Sequence, residues 1–188
     1  MVSEASDTAT AMLRDEHVLI LEVVDVLERT LDASDEDAQA FDVIGRCVSF
    51  FRLYADACHH GKEEDLLFPE LEDHGLPKDD GPIAVMLHEH RLGRAFVSRM
   101  AESIDDARSG EEWAIRELRS AADGYIDLIR NHIDKEDNVL FNMADAMVVG
   151  SACRQLCGKY AAVCQRRFEG RTKDDLERLA AELLAPGS

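Results

Sequence analysis

Two stretches of the chain place a histidine four residues before a glutamate. In CHHGKEEDLLFPEL, His60 precedes Glu64, and in RNHIDKEDNVLF, His132 precedes Glu136. Residues four apart on an α-helix lie on the same face about one turn apart, so both side chains can reach one ion. Imidazole and carboxylate ligands together suit iron, manganese or zinc. The two stretches therefore predict two halves of a dinuclear metal site.

The first stretch also contains the same pair shifted by one residue. His59 and Glu63 have the spacing of His60 and Glu64. On an α-helix adjacent residues point about 100° apart, so we expect only one of the two registers to face an ion. We prefer His60 and Glu64 because the second stretch has the matching arrangement. His59 is then either a partner of a ligand or a competing ligand.

Two other histidines lie on apolar faces of predicted helices. His17 shares a face with Leu13 and Ile20. His88 and His90 point about 200° apart, and the apolar residues around them indicate that His90 faces inward. Four histidines and two carboxylates would then meet in a core. Unpaired buried charges cost several kcal/mol each, so this arrangement favours a bound metal.

A helical bundle is required to bring these residues together. Apolar residues recur at helical spacing, and no segment alternates as a strand would. The predicted helices cover residues of about 8–31, 36–73, 82–108, 112–147, 150–168 and 172–184, with N-cap candidates in DASDED and a loop in HGLPKDDGP. Long helices with short connections predict an all-α, antiparallel up-down four-helix bundle at about 8–147. Short C-terminal helices at about 150–185 would extend it, within one domain spanning 1–188.

Composition limits the classes of partner. The 188 residues carry 39 acidic and 21 basic side chains, a net charge of −18, which disfavours nucleic acid and anionic membrane surfaces. No apolar run approaches the roughly 20 residues that span a bilayer, and the acidic N-terminus does not resemble a signal peptide. We therefore expect a cytoplasmic protein. Five cysteines without a CxxC motif argue against a disulfide framework, and we expect Cys153, Cys157 and Cys164 to be small buried side chains.

The combined pattern resembles the hemerythrin-like family, also called HHE cation-binding domains. The resemblance covers residues of about 10–147 and rests on one motif in each of the four long predicted helices. In chain order these are RDEH, then HHxxEE followed by LFP, then EH, and finally HxxxE followed by LF. It implies a four-helix bundle around two non-haem iron ions, bridged by two carboxylates and an oxo or hydroxo group. The ligands it implies are His17, His60, Glu64, His90, His132 and Glu136.

The chain departs from the oxygen carriers of that family. Those proteins have HxxxH on the third helix, whereas Arg94 stands four residues after His90. They also have HxxxxD on the fourth helix. Glu136 and Asp137 are both available here, and we prefer Glu136. One iron would then have fewer histidines and more open positions. The candidates for its missing ligand are His59, Tyr54 and Tyr125.

The resemblance leaves three kinds of function open. A di-iron centre that reacts with oxygen, peroxide or nitric oxide is the function that we favour, either as an enzyme or as a binding protein. A reversible sensor or store of oxygen or iron is the second, and a structural bundle holding zinc is the third. The electron donor is unknown.

Overall fold

The computed structural model describes residues 8–33 and 38–185, and this part of the chain contains six helices. Helix α1 spans Ala11–Ala33 and α3 spans Gly81–Arg108. The shorter α5 and α6 span Gly150–Cys164 and Lys173–Leu184. Each lies within a few residues of the range expected from apolar spacing. Residues 34–37 of the predicted DASDED capping segment lie outside the described residues.

The other two helices contain wide π-helical turns. Helix α2 runs as an α-helix over Ala38–Phe50, is π-helical over Phe51–His60 and Glu63–Leu67, and ends as an α-helix over Phe68–Asp73. Helix α4 is α-helical over Glu112–Lys135, π-helical over Glu136–Leu140, and α-helical again over Phe141–Met147. Such turns are rare and occur often at functional sites. Here they coincide with the two stretches that predict metal binding.

The four long helices form the predicted antiparallel bundle. Contacts join α1 to α2, α2 to α3, α3 to α4, and α4 back to α1. His17 and His90 lie in the first third of α1 and α3, whereas His60 and His132 lie in the second half of α2 and α4. Alternating helix direction therefore brings all four histidines to the same level of the bundle.

Two apolar clusters lie on either side of that level. The larger one fills one half of the bundle and includes Leu27, Phe51 and Ile129. The other contains Leu13 and Phe68. The polar layer between them is shielded from water by apolar side chains above and below.

The C-terminal helices pack against both clusters. Leu156 and Tyr160 of α5 belong to the cluster around Phe68, and Leu176 and Leu183 of α6 belong to the larger one. None of the described helices is both long enough and apolar enough to cross a membrane. A single domain over the whole chain and a cytoplasmic location stay predictions.

Candidate metal centre

Seven buried side chains converge at the polar layer in two groups. In each group, one ligand atom from each residue lies within 4.8 Å of every other. The first group has three histidines and the second has two, and neither includes a thiol. Their members are His60, Glu63, His90 and His132 in the first, and His17, His59, Glu63 and Glu136 in the second.

Glu63 belongs to both groups. Its Oε1 lies 3.5 Å from His59 Nε2 in the second group, and its Oε2 lies 3.3 Å from His90 Nε2 in the first. The Glu63 side chain is fully buried, and neither carboxylate oxygen has a hydrogen-bond partner among the described residues. One carboxylate that points an oxygen at each group can bridge two ions.

Glu136 makes the same connection from α4. Its Oε2 lies 3.2 Å from His17 Nε2 and 3.3 Å from His132 Nε2, so it also contacts a histidine of each group. Two ligand atoms at right angles around an ion, each about 2.1 Å away, are about 3 Å apart. The spacings of the two glutamates are therefore those expected around bound metal ions.

The inward histidine nitrogens also fit a metal. The Nε2 atoms of His60, His90 and His132 are buried without a hydrogen-bond partner. Those of His17 and His59 lie 3.0 Å from each other. Buried polar atoms are normally paired, so a set of unpaired atoms facing one point indicates a ligand. Imidazole and carboxylate donors suit iron.

A carboxylate outside the centre holds each of the five histidines. An ionised carboxylate only accepts hydrogen bonds, so it places a proton on Nδ1 and directs the Nε2 lone pair inward. The pairs are His17 with Asp137 at 2.9 Å, His59 with Glu16 at 2.9 Å, His60 with Asp56 at 3.4 Å, His90 with Glu64 at 2.7 Å, and His132 with Glu89 at 3.1 Å.

A lysine or arginine in turn contacts every one of these carboxylates. Arg94 bonds to Asp56 and to Glu64, each at 2.7 Å, and thereby supports two histidines. The remaining contacts are Arg14 with Asp137, Lys62 and Lys173 with Glu16, and Lys135 with Glu89. The cations keep the outer carboxylates ionised and fixed, so the histidines are preorganised for an ion.

Protons occupy part of this site when no metal is bound. Burial opposes protonation of His17, but the nearby carboxylates of Asp137 and Glu136 outweigh it and raise its pKa to about 9. Burial also opposes protonation of His90, but the carboxylates of Glu63 and Glu64 outweigh it and raise its pKa to about 9. Burial and the adjacent His90 hold the pKa of His60 well below its usual value. Metal ions would therefore displace protons from His17 and His90.

The structure differs from the register that the sequence favoured on α2. Glu64 lies outside both groups and is bonded to His90 Nδ1, whereas Glu63 lies at the centre. His59 and His60 both face inward, one toward each group. A π-helical turn holds more residues than an α-helical turn, so successive side chains diverge by less than about 100°. Both histidines can therefore reach the centre.

The number of histidines also differs from expectation. Arg94 does replace the second histidine of α3, but His59 provides a fifth inward nitrogen from α2. The inward histidines therefore number five rather than four and divide three to two between the groups, so one ion would still have fewer histidines, and the preference for reactivity stays a prediction. Tyr54 and Tyr125 are buried and lie outside both groups; Tyr54 stacks on Phe50, and the ring of Tyr125 lies tilted against that of Phe51.

The sequence reasoning missed most of the supporting residues. Asp56 precedes His60 by four residues, a spacing that could have indicated the contact. Glu16 and Glu89 each reach a histidine on another helix. Sequence spacing carries no signal for such pairs. Of the remaining histidines, His74 and His88 are exposed, as expected from their positions.

A cavity of about 250 Å³ reaches the first group from the surface. Its inner wall includes His60, Gly93 and Tyr125, and its outer part includes the exposed Ser98 and Ala101. This volume can hold several water molecules or a small ligand. The cavity is therefore a candidate access route.

Comparison with known families identifies the same region. The family model described as the Hemerythrin HHE cation binding domain matches residues 8–144. No curated protein matches the chain. The matched range contains all seven inward side chains and ends before α5.

Proposed function

We propose that this chain, which belongs to the hemerythrin HHE cation-binding family, holds two iron ions at the centre and binds or transforms a small molecule there. The small molecule is oxygen, peroxide or nitric oxide. His60, His90 and His132 would hold one ion, and His17 and His59 the other. Glu63 and Glu136 would contact both ions.

One observation carries the proposal. Three histidine nitrogens and all four oxygens of Glu63 and Glu136 are buried without a hydrogen-bond partner in the described chain. Leaving buried polar groups unpaired costs about 1–3 kcal/mol each, and more for charged groups. Two cations would satisfy these atoms together. Five nitrogens and two carboxylates favour iron over a metal that prefers thiolates.

The unequal groups suggest where a small molecule binds. The second group supplies two histidines, against three in the first, so an ion there has more room for an added ligand. This group shares Glu63 with the first group, which the cavity reaches. Iron supplies reversible one-electron chemistry when bound. The protein's own contribution is to orient the five imidazoles through their outer carboxylates and to exclude bulk water with the two apolar clusters.

Metal analysis and optical spectroscopy test the proposal. Protein purified from iron-replete cells is expected to contain about two iron ions per chain. The reduced protein is then mixed separately with oxygen, peroxide and nitric oxide in a stopped-flow instrument. A reversible absorption change with oxygen indicates carriage or sensing, whereas repeated consumption of one ligand indicates an enzyme. Zinc in place of iron, or wild-type iron content in His60→Ala and His132→Ala, would refute the di-iron assignment.

The cavity provides a separate test of access. Ala101→Trp places a large side chain at its mouth, and Ala95→Trp places one at another exposed position of α3 that does not line the cavity. We expect Ala101→Trp to slow the reaction of the reduced protein with peroxide at least several-fold while iron content is retained. Ala95→Trp is expected to react at the wild-type rate. Equal rates in both variants would show that the ligand enters elsewhere.

A further inference from the structure

A cluster of two cysteines and a lysine lies beside the proposed centre. Lys62 Nζ is fully buried, 3.7 Å from Cys58 Sγ and 3.9 Å from Cys164 Sγ, and forms an ion pair with Glu16. The two sulfur atoms lie within 4.8 Å of each other. Cys58 belongs to a π-helical segment of α2, and Cys164 is the last residue of α5.

This cluster also satisfies the distance criterion for a metal group, through Glu16 and the two cysteines. A lysine nitrogen already lies against all three of these residues, however. Its positive charge takes the role that a metal ion would have. The geometry therefore favours chemistry of the thiols themselves over a third metal site.

We propose that Cys58 and Cys164 are a peroxide-reactive thiol pair that closes to a disulfide. The two sulfurs are already adjacent, and they share one buried cation. Cys164 is partly exposed, contrary to the burial expected from the sequence, and can meet a solute, whereas Cys58 is fully buried behind it. This assigns Cys164 as the attacking thiol and Cys58 as the resolving thiol. The proposal does not depend on metal binding.

The electrostatic surroundings support this order. The adjacent Cys58 thiol, with Lys62 and Lys173 nearby, lowers the pKa of the Cys164 thiol to about 6. A thiolate is the nucleophile in reactions of cysteine, so Cys164 is the more reactive of the two at neutral pH. Burial raises the pKa of Cys47, another cysteine, to about 12.

The reaction is a balanced two-step oxidation by hydrogen peroxide. The Cys164 sulfur attacks one peroxide oxygen, an S–O bond forms, the O–O bond breaks, and the departing hydroxide takes up a proton to become water. The Cys58 sulfur then attacks the resulting sulfenic acid. An S–S bond forms, the S–O bond breaks, and the hydroxyl group leaves as water with the Cys58 proton. Two thiols and one peroxide yield one disulfide and two waters.

Peptide mapping of the full chain under non-reducing conditions tests the proposal. Reduced protein is treated with one equivalent of hydrogen peroxide, once after chelation of metals and once loaded with iron. We expect a cross-linked peptide that joins Cys58 to Cys164 in the chelated sample, with the loss of two hydrogen atoms per chain. Because the chelated sample has no di-iron centre, this result is independent of the proposed metal function.

Three variants identify the roles of the thiols. Cys58→Ser is expected to stop at the sulfenic acid of Cys164, which a 1,3-diketone reagent traps. Cys164→Ser is expected to leave Cys58 as a thiol. Cys157→Ser, which removes another partly exposed thiol of α5, is expected to form the cross-link as wild type does. The proposal is overturned if peroxide leaves Cys58 and Cys164 as thiols, or if either is found joined to another cysteine.

Discussion

Glu63 and Glu64 provide a direct test of the geometry because they are adjacent and chemically identical. Glu63 lies between the two groups with both oxygens unpaired, whereas Glu64 lies outside them and bonds to His90 Nδ1 and Arg94. Glu63→Gln removes a charge that we assign to both ions. Glu64→Gln removes a charge that only supports the orientation of His90. The two substitutions are equal in size, so a difference between them reflects position.

The expected magnitudes differ for a structural reason. Loss of a group that supports a ligand typically lowers metal affinity about 10–100-fold, or roughly 1.4–2.8 kcal/mol. Glu64→Gln should do this for the ion near His90. A hydrogen bond to a charged group contributes about 1.5–3 kcal/mol. We take this value as a lower bound for the binding free energy that a coordinating carboxylate contributes at one ion. Glu63→Gln loses one such contact at each ion, so the affinity for both ions, rather than for one, should fall by about one to two orders of magnitude or more.

Anaerobic titration with ferrous iron against a competing chelator measures both variants. Glu64→Gln should still bind two ions per chain, with the affinity of the ion in the second group almost unchanged. Glu63→Gln should bind one ion or none at concentrations that saturate the wild type. Thermal unfolding of the metal-free proteins shows whether each variant is folded. Retention of both ions by folded Glu63→Gln, together with their loss from Glu64→Gln, would refute the assignment and restore the register favoured by the sequence.

Two further predictions concern protons and packing. The pKa values of His17 and His90 are raised to about 9 in the metal-free protein, so both side chains must lose a proton to bind an ion. Loading the protein with ferrous iron at pH 7.5 should therefore release about two protons per chain. The release should decline as the pH rises through 9, and an indicator dye that registers none at pH 7.5 would contradict it. Gly124→Ala would place a Cβ 2.5 Å from the Phe96 ring and should destabilise the fold by about 1–3 kcal/mol in chemical denaturation. Gly158→Ala, with no atom within 4 Å, should be neutral or stabilising by about 0.5–1 kcal/mol, and equal losses would contradict the packing argument.

The fold could be predicted from the sequence because helices that pack against a core have apolar residues at regular spacing. The predicted third helix, at 82–108, agrees with Gly81–Arg108, and the inward direction predicted for His90 agrees with its burial. Apolar residues repeat wherever a helix faces the core, so helix existence and direction can be read from the order of residue types. Caps and loops then limit the ends to within a few residues.

The centre was only partly predictable. His17, His60, His90, His132 and Glu136 meet as expected. An α-helical wheel could not show that Glu63, rather than Glu64, lies at the centre, or that His59 lies there as well. A π-helical turn depends on a hydrogen bond five residues apart, and the doubled HH and EE pairs were its only trace. Four of the five outer carboxylates contact a histidine of another helix, which spacing within one helix does not reveal.

Lys173 extends the centre beyond the part of the chain that identifies its family. This lysine belongs to α6, 29 residues after the family match ends at residue 144, and it contacts the Glu16 that holds His59. A fragment cut at the family boundary would keep all seven inward side chains but lose one of the two positive charges on Glu16. The family match therefore ends before the last residue whose charge acts on the metal centre. An excised bundle would be a different metal host from the intact chain, even with an identical set of ligands.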